Sequence, residues 1–134
     1  MATSKIIYTG QLRTVMTHLQ SGNEVITDAP TDNHGKGEAF SPTDLVATGL
    51  GSCMLTVMGI KAESLGILLD GTEVSITKHM GTAPRRIVQI DVAMHLPASI
   101  PQEHRAVLEA TGRTCPVSKS LHPDLIQNIS FQYH

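Results

Sequence analysis

Ser41–Gly66 reads SPTDLVATGLGSCMLTVMGIKAESLG and carries one of the two cysteines of the chain in the middle of a long apolar run. Ser41 suits an N-cap and Pro42 the first helical position. Asp44 puts a carboxylate in the first turn, where the positive end of the peptide dipoles favours it. Gly66 is a natural stop. No charge falls between Asp44 and Lys61, and Leu45, Val46, Leu50, Met54, Leu55, Val57, Met58 and Ile60 spread over every side of the spiral. A helix that is apolar all round is a buried one. The stretch therefore predicts a long central helix with Cys53 in its middle, and a chain that wraps around it.

Before this helix the pattern is that of short strands. Ile6-Ile7-Tyr8 is one, broken by Gly10; Leu12–Leu19 is a second, with Arg13 inside it; Ser21-Gly22-Asn23 signals a turn, and Val25-Ile26-Thr27 continues as a third. Residues 29–40, APTDNHGKGEAF, make a polar, Gly-rich loop with His34, Lys36 and Glu38, read as a solvated connection or as the border of a site at the start of the helix. After the helix, Val74 and Ile76 alternate with polar neighbours, and Val88, Ile90, Val92, Met94 and Leu96 give the cleanest period-two run in the chain. Pro97 and Pro101 end that strand and open a helix that Gly112 should end. Pro116 then starts a short helix with Cys115 at its N-cap, and Ile129, Phe131 and Tyr133 alternate in a last strand. Strands, helix, strands, helices and strand predict an α+β fold with a mainly antiparallel sheet on a central helix.

With 134 residues the chain suits one domain, residues 1–134. Aromatic residues make up 3%, with no Trp, which leaves no stacking platform for single-stranded nucleic acid. A formal charge of −2 with no basic run argues against nucleic acid and anionic membrane as partners. The uncharged run around Cys53 is shorter than the roughly 18 residues a membrane span needs. The start, MATSKIIYTG, has no signal-peptide apolar core, so the expected location is cytoplasmic.

Three chemistries compete for the cysteines. His18, His34, His79, His95, His104, His122 and His134 are scattered, without C-x-x-C, H-x-x-x-H or H-E-x-x-H spacing, so no metal is expected. A Cys-His hydrolase needs a base beside the nucleophile, and no sequence spacing places a histidine beside Cys53. Thiol redox chemistry needs a thiolate, a cation or helix dipole to stabilise it, and a second thiol. Cys53 and Cys115 could supply these, or could be two unrelated buried thiols acting as small hydrophobes.

The S-P-x-D-L start, the Gly-Ser-Cys on a long helix, the late Cys115-Pro116-Val117-Ser118 and the terminal strand together resemble the OsmC/Ohr superfamily of organic hydroperoxide reductases. That resemblance implies the OsmC-like fold, antiparallel sheets wrapped around a long central helix in an intertwined homodimer. It implies Cys53 as the nucleophile toward an organic hydroperoxide, Cys115 as the resolving cysteine, and a dithiol or lipoylated-protein reductant, with no metal, haem or flavin. It further implies an arginine from the N-terminal strands as thiolate stabiliser, for which Arg13 is the candidate. The hydroperoxide-reductase pattern N-P-E-x-L would put an acid on Thr43. Here the acid is Asp44, one position later, with Glu38 or Glu63 as substitutes. Met54, Leu50 and Val57 would line an apolar pocket suited to alkyl substrates. The alternative within the superfamily is a small-ligand-binding or redox-sensing protein with little turnover.

Overall fold

A computed structural model describes residues 1–134. The chain divides into two compact units, Met1–Val46 and Ala47–His134, each with its own three-stranded sheet.

In the first unit, β1 (Ser4–Gly10), β2 (Arg13–His18) and β3 (Glu24–Asp28) form an antiparallel meander in the order β1-β2-β3. Ile7, Val15 and Ile26 lie opposite one another in a row across the sheet, and Ile6, Met16 and Val25 make the next row. Side chains of successive residues point to opposite faces, so each face of this small sheet carries an apolar row. Ile6, Ile7 and Tyr8 all stay exposed. The β1–β2 turn is Gln11-Leu12, between paired Gly10 and Arg13, and both turn residues have positive φ, 54° and 64°.

Helix α1 spans Pro42–Ser64. Its start is a reciprocal capping box. Ser41 Oγ accepts from the Asp44 amide at 3.1 Å, and Asp44 Oδ2 accepts from the Ser41 amide at 2.9 Å. Its end is a Schellman motif: the Gly66 amide donates to Glu63 O, the Ile67 amide to Ala62 O, and Gly66 has φ 70°. With 23 residues and a mean hydropathy of 1.5 over its best window, α1 is long and apolar enough to cross a membrane by length and composition. The helix runs past Lys61 to the stop expected at Gly66.

The expectation of a helix buried all round is corrected. Ala47, Leu50, Gly51, Met54, Met58 and Ala62 form one buried stripe, while Ile60 is 65% exposed. The physical reason is that a single sheet covers only one side of a helix. That sheet contains β4 (Glu73–Gly81), β5 (Arg86–Leu96) and β6 (Ile126–Tyr133), and its alternating residues Ile90, Val92, Met94 and Leu96 join the buried stripe in the core. At Gly51 α1 approaches β4 closely, since a Cβ there would sit 2.7 Å from Ile76 Cδ1. Helix α2 (Gln102–Arg113) passes through Gly112 rather than ending at it, because Gly112 is buried against Met58.

The pairing is mainly antiparallel, as expected, in three ladders of four, and the fourth departs from it. β4 and β5 are antiparallel, but β5 and β6 are parallel, so the sheet order β4-β5-β6 is mixed. Parallel neighbours need a crossover connection, and α2 with the short α3 (Pro116–Ser120) provides it.

Candidate functional site

The N-terminal unit gathers charge around Arg13. Register places Arg13 opposite Asp28, and the guanidinium grips the carboxylate side-on, Nε to Oδ1 at 2.7 Å and Nη2 to Oδ2 at 2.8 Å. Nη2 also reaches Glu38 Oε1 at 3.4 Å. Asp28 is only 2% exposed, and its Oδ2 accepts a further bond from the Glu38 amide at 3.1 Å. The Arg13 hydrogen bond holds the Asp28 carboxyl below its ordinary range, and the same bond raises the Arg13 guanidinium. Both stay charged, as a buried ion pair must to offset desolvation. Arg13 keeps Nη1 without a partner in the chain.

Asp44, the weaker of the two expected auxiliary residues, serves the helix start through its exchange with Ser41. Its side chain also borders a groove of about 550 Å³, with Glu24, Val25, Ile26, Glu38 and Phe40 among the other walls. The polar loop 29–40 thus borders a concave surface as well as connecting two elements. Glu38 does lie at Arg13, but Asp28, which sequence reasoning missed, makes the stronger pair. The signal for it was the strand register alone.

The C-terminal unit holds both cysteines, and both are free thiols. Cys53 sits half-buried on α1 and packs against the core cluster, of which Cys115 is a fully buried member, 1% exposed. Cys115 is the N-cap of α3 with Pro116 behind it, as its sequence context implied, and its sulfur accepts from the Ser118 amide at 3.4 Å. Burial pushes the Cys115 thiol up, the Ser118 amide opposes this, and a side-chain hydrogen bond with Cys53 raises it further. The fold therefore brings together two sulfurs from separate elements: an accessible one, and a buried one that favours its protonated form. The expected apolar lining is corrected in part. Leu50 and Met54 are fully buried in the core, on the stripe facing the sheet, and give no wall to an open pocket.

A family model for OsmC-like protein matches residues 35–128, a span that includes both cysteines. No curated protein matches the chain. Among solved structures, a Psychrobacter arcticus protein, named by inference for an osmotic stress induced and detoxification response, is 50% identical with a TM-score of 0.95, covering 98% of this chain and 96% of its own. An organic hydroperoxide resistance protein OsmC from Legionella pneumophila is 19% identical with a TM-score of 0.72, covering 98% of each chain. An organic hydroperoxide resistance protein from Elizabethkingia anophelis is 16% identical with a TM-score of 0.77, covering 100% of this chain and 98% of that one. These last two share the α+β architecture of two sheets and a long helix. Family match and half-identical relative lead to one assignment: the chain belongs to the OsmC-like protein family.

Proposed function

We propose that this chain is a thiol-dependent peroxidase that reduces organic hydroperoxides to alcohols in defence against oxidative stress. The observation that carries the reading is that Cys53 packs against the core cluster that contains Cys115, two thiols of unlike burial on different elements. Organic hydroperoxide resistance proteins among its structural neighbours support it. The Cys53 thiolate attacks the outer oxygen of the hydroperoxide. The O–O bond breaks, the alcohol leaves after taking a proton, and Cys53 becomes a sulfenic acid. The Cys115 sulfur then attacks Cys53 as the hydroxyl leaves with the Cys115 proton as water, giving a disulfide. A dithiol, free or as a lipoylated protein, returns two electrons and two protons.

In this reading Arg13 is the thiolate stabiliser, its open Nη1 available to an anion, and Asp44 is the acid that sets the start of the cysteine helix. A homodimer completes the molecule. The apolar rows exposed on both faces of β1–β3, and Ile60 on the uncovered side of α1, support it. A single elution mass of one chain by light scattering would remove that element.

The balanced charge of Arg13, already matched by Asp28 and Glu38, favours a second reading: a small-ligand-binding or redox-sensing protein with little turnover. Mass spectrometry after stoichiometric cumene hydroperoxide separates the two. The peroxidase gives a fast Cys53–Cys115 disulfide, and a trapped Cys53 sulfenic acid in Cys115→Ser. Two thiols still reduced after minutes would leave the second reading.

A further inference from the structure

Helix α3 has five residues, none of them buried, and its capping Cys115 is buried just before them. One turn and a half of helix does not hold itself together in water. Val117 and Leu121 pack against the core, and a side chain from the neighbouring strand grips the helix as well. Ser118 Oγ donates to Gln127 Oε1 at 2.6 Å, and Gln127 Nε2 donates back to Ser118 O at 3.1 Å. Ser118 Oγ also reaches Arg113 O at 3.3 Å, at the end of α2. Gln127 is in turn rigid, since its backbone lies beside Ile90 in the parallel β5–β6 ladder. The residue so gripped is the one whose amide donates to the Cys115 sulfur.

We propose that Gln127 is the positioning residue of the second cysteine: by gripping Ser118 at hydroxyl and carbonyl, it holds the Ser118 amide on the Cys115 sulfur and so sets how readily that sulfur forms and releases its bond to Cys53. The inference rests on the peroxidase reading for its consequence in turnover, but the Cys115 hydrogen bond stands without it. A donor on sulfur favours the thiolate over the thiol. The groups that act most on Cys115 are burial itself, the Ser118 and Val117 amides, and Cys53 on α1. Without the grip, α3 frays, the amide leaves, and burial acts on Cys115 with less to oppose it.

The test has two arms. In Cys53→Ser, where Cys115 is the only thiol, thiolate absorbance against pH gives the Cys115 midpoint. Gln127→Leu should raise it by about one unit, which is about tenfold less thiolate. Ser118→Ala, which removes the 2.6 Å arm alone, should raise it by less. If Gln127→Leu does not fold, as judged by circular dichroism, the rise in Ser118→Ala carries the test. An unchanged midpoint in the folded variants overturns the proposal. In the two-cysteine protein, stopped-flow oxidation by cumene hydroperoxide should show the disulfide step slowed about tenfold relative to the sulfenic acid step. Equal slowing of both steps would mean general damage and overturns it too. A raised midpoint with both thiols of the parent still reduced after cumene hydroperoxide would sink the peroxidase reading and leave the role of Gln127 intact.

Discussion

Arg13 and Asp28 stand directly opposite each other on β2 and β3, joined by two hydrogen bonds of 2.7 and 2.8 Å, with the carboxylate nearly sealed from water. Glu38, by contrast, touches the same guanidinium at 3.4 Å from an exposed position. Removing one partner of a buried pair strands the other, whereas a surface pair contributes little. Asp28→Asn should therefore lower the urea midpoint of unfolding several-fold more than Glu38→Gln. Equal midpoints would mean that the pair adds nothing to the fold.

Acid should weaken the protein through two carboxylates. Asp91 accepts from Gln89 Nε2 and Asn128 Nδ2 and meets His79 Nε2 at 2.7 Å, and these bonds, that of His79 foremost, lower its pKa from 3.8 to about 2. A depressed folded pKa gives stability that is present above the unfolded value and lost as pH falls through the folded one. Stability should fall between pH 3.8 and about 2, with Asp28 contributing in the same direction. Asp91→Asn should flatten that limb in urea titrations at stepped pH. An unaltered slope would show that the bonds do not persist in solution.

The Gln11-Leu12 turn stores strain. Two residues with positive φ between paired strands make the type I′ geometry that Asn-Gly favours, while an ordinary side chain there costs about 1–2 kcal/mol. Half-exposed Leu12 has little burial to lose. Gln11→Asn combined with Leu12→Gly should stabilise the protein by about 1 kcal/mol after the entropy cost of glycine, about 0.5–1 kcal/mol, is subtracted. Thermal melts check this, and a lowered midpoint would refute it.

The two cysteines should label in order. Cys53 is half-buried, and Cys115 is 1% exposed with its thiol pushed up by burial. Burial both shields the Cys115 sulfur and disfavours its thiolate, so limited iodoacetamide should mark Cys53 well ahead of Cys115 in peptide mapping. Comparable rates would contradict the burial of Cys115.

What could be read from sequence was what is local. Ser41, Asp44 and Gly66 cap α1 by contacts within a few residues, and Cys115-Pro116 start α3 for the same reason. Long-range pairings were not legible. The β2–β3 connection closes through the His18–Asn23 pairing, a loop of a length that the Ser21-Gly22-Asn23 signal does not specify. A one-residue error in that loop turns Arg13 away from Asp28. Likewise, a period-two pattern in β6 reports one buried face but not the direction of its neighbour, so the parallel pairing with β5 went unread. The grip of Gln127 on Ser118 was hidden with it.

The mixed sheet also orders events in time. β4 and β5 form a hairpin of adjacent segments, which closes early because little chain entropy is lost. β6 can dock beside β5 only after the whole stretch through α2 and α3 has been laid down and folded back. Cys115 travels on that late segment. During synthesis the first sulfur emerges and is packed on its helix well before the second can approach it, so the nascent chain has no internal partner with which to oxidise until the fold is nearly complete.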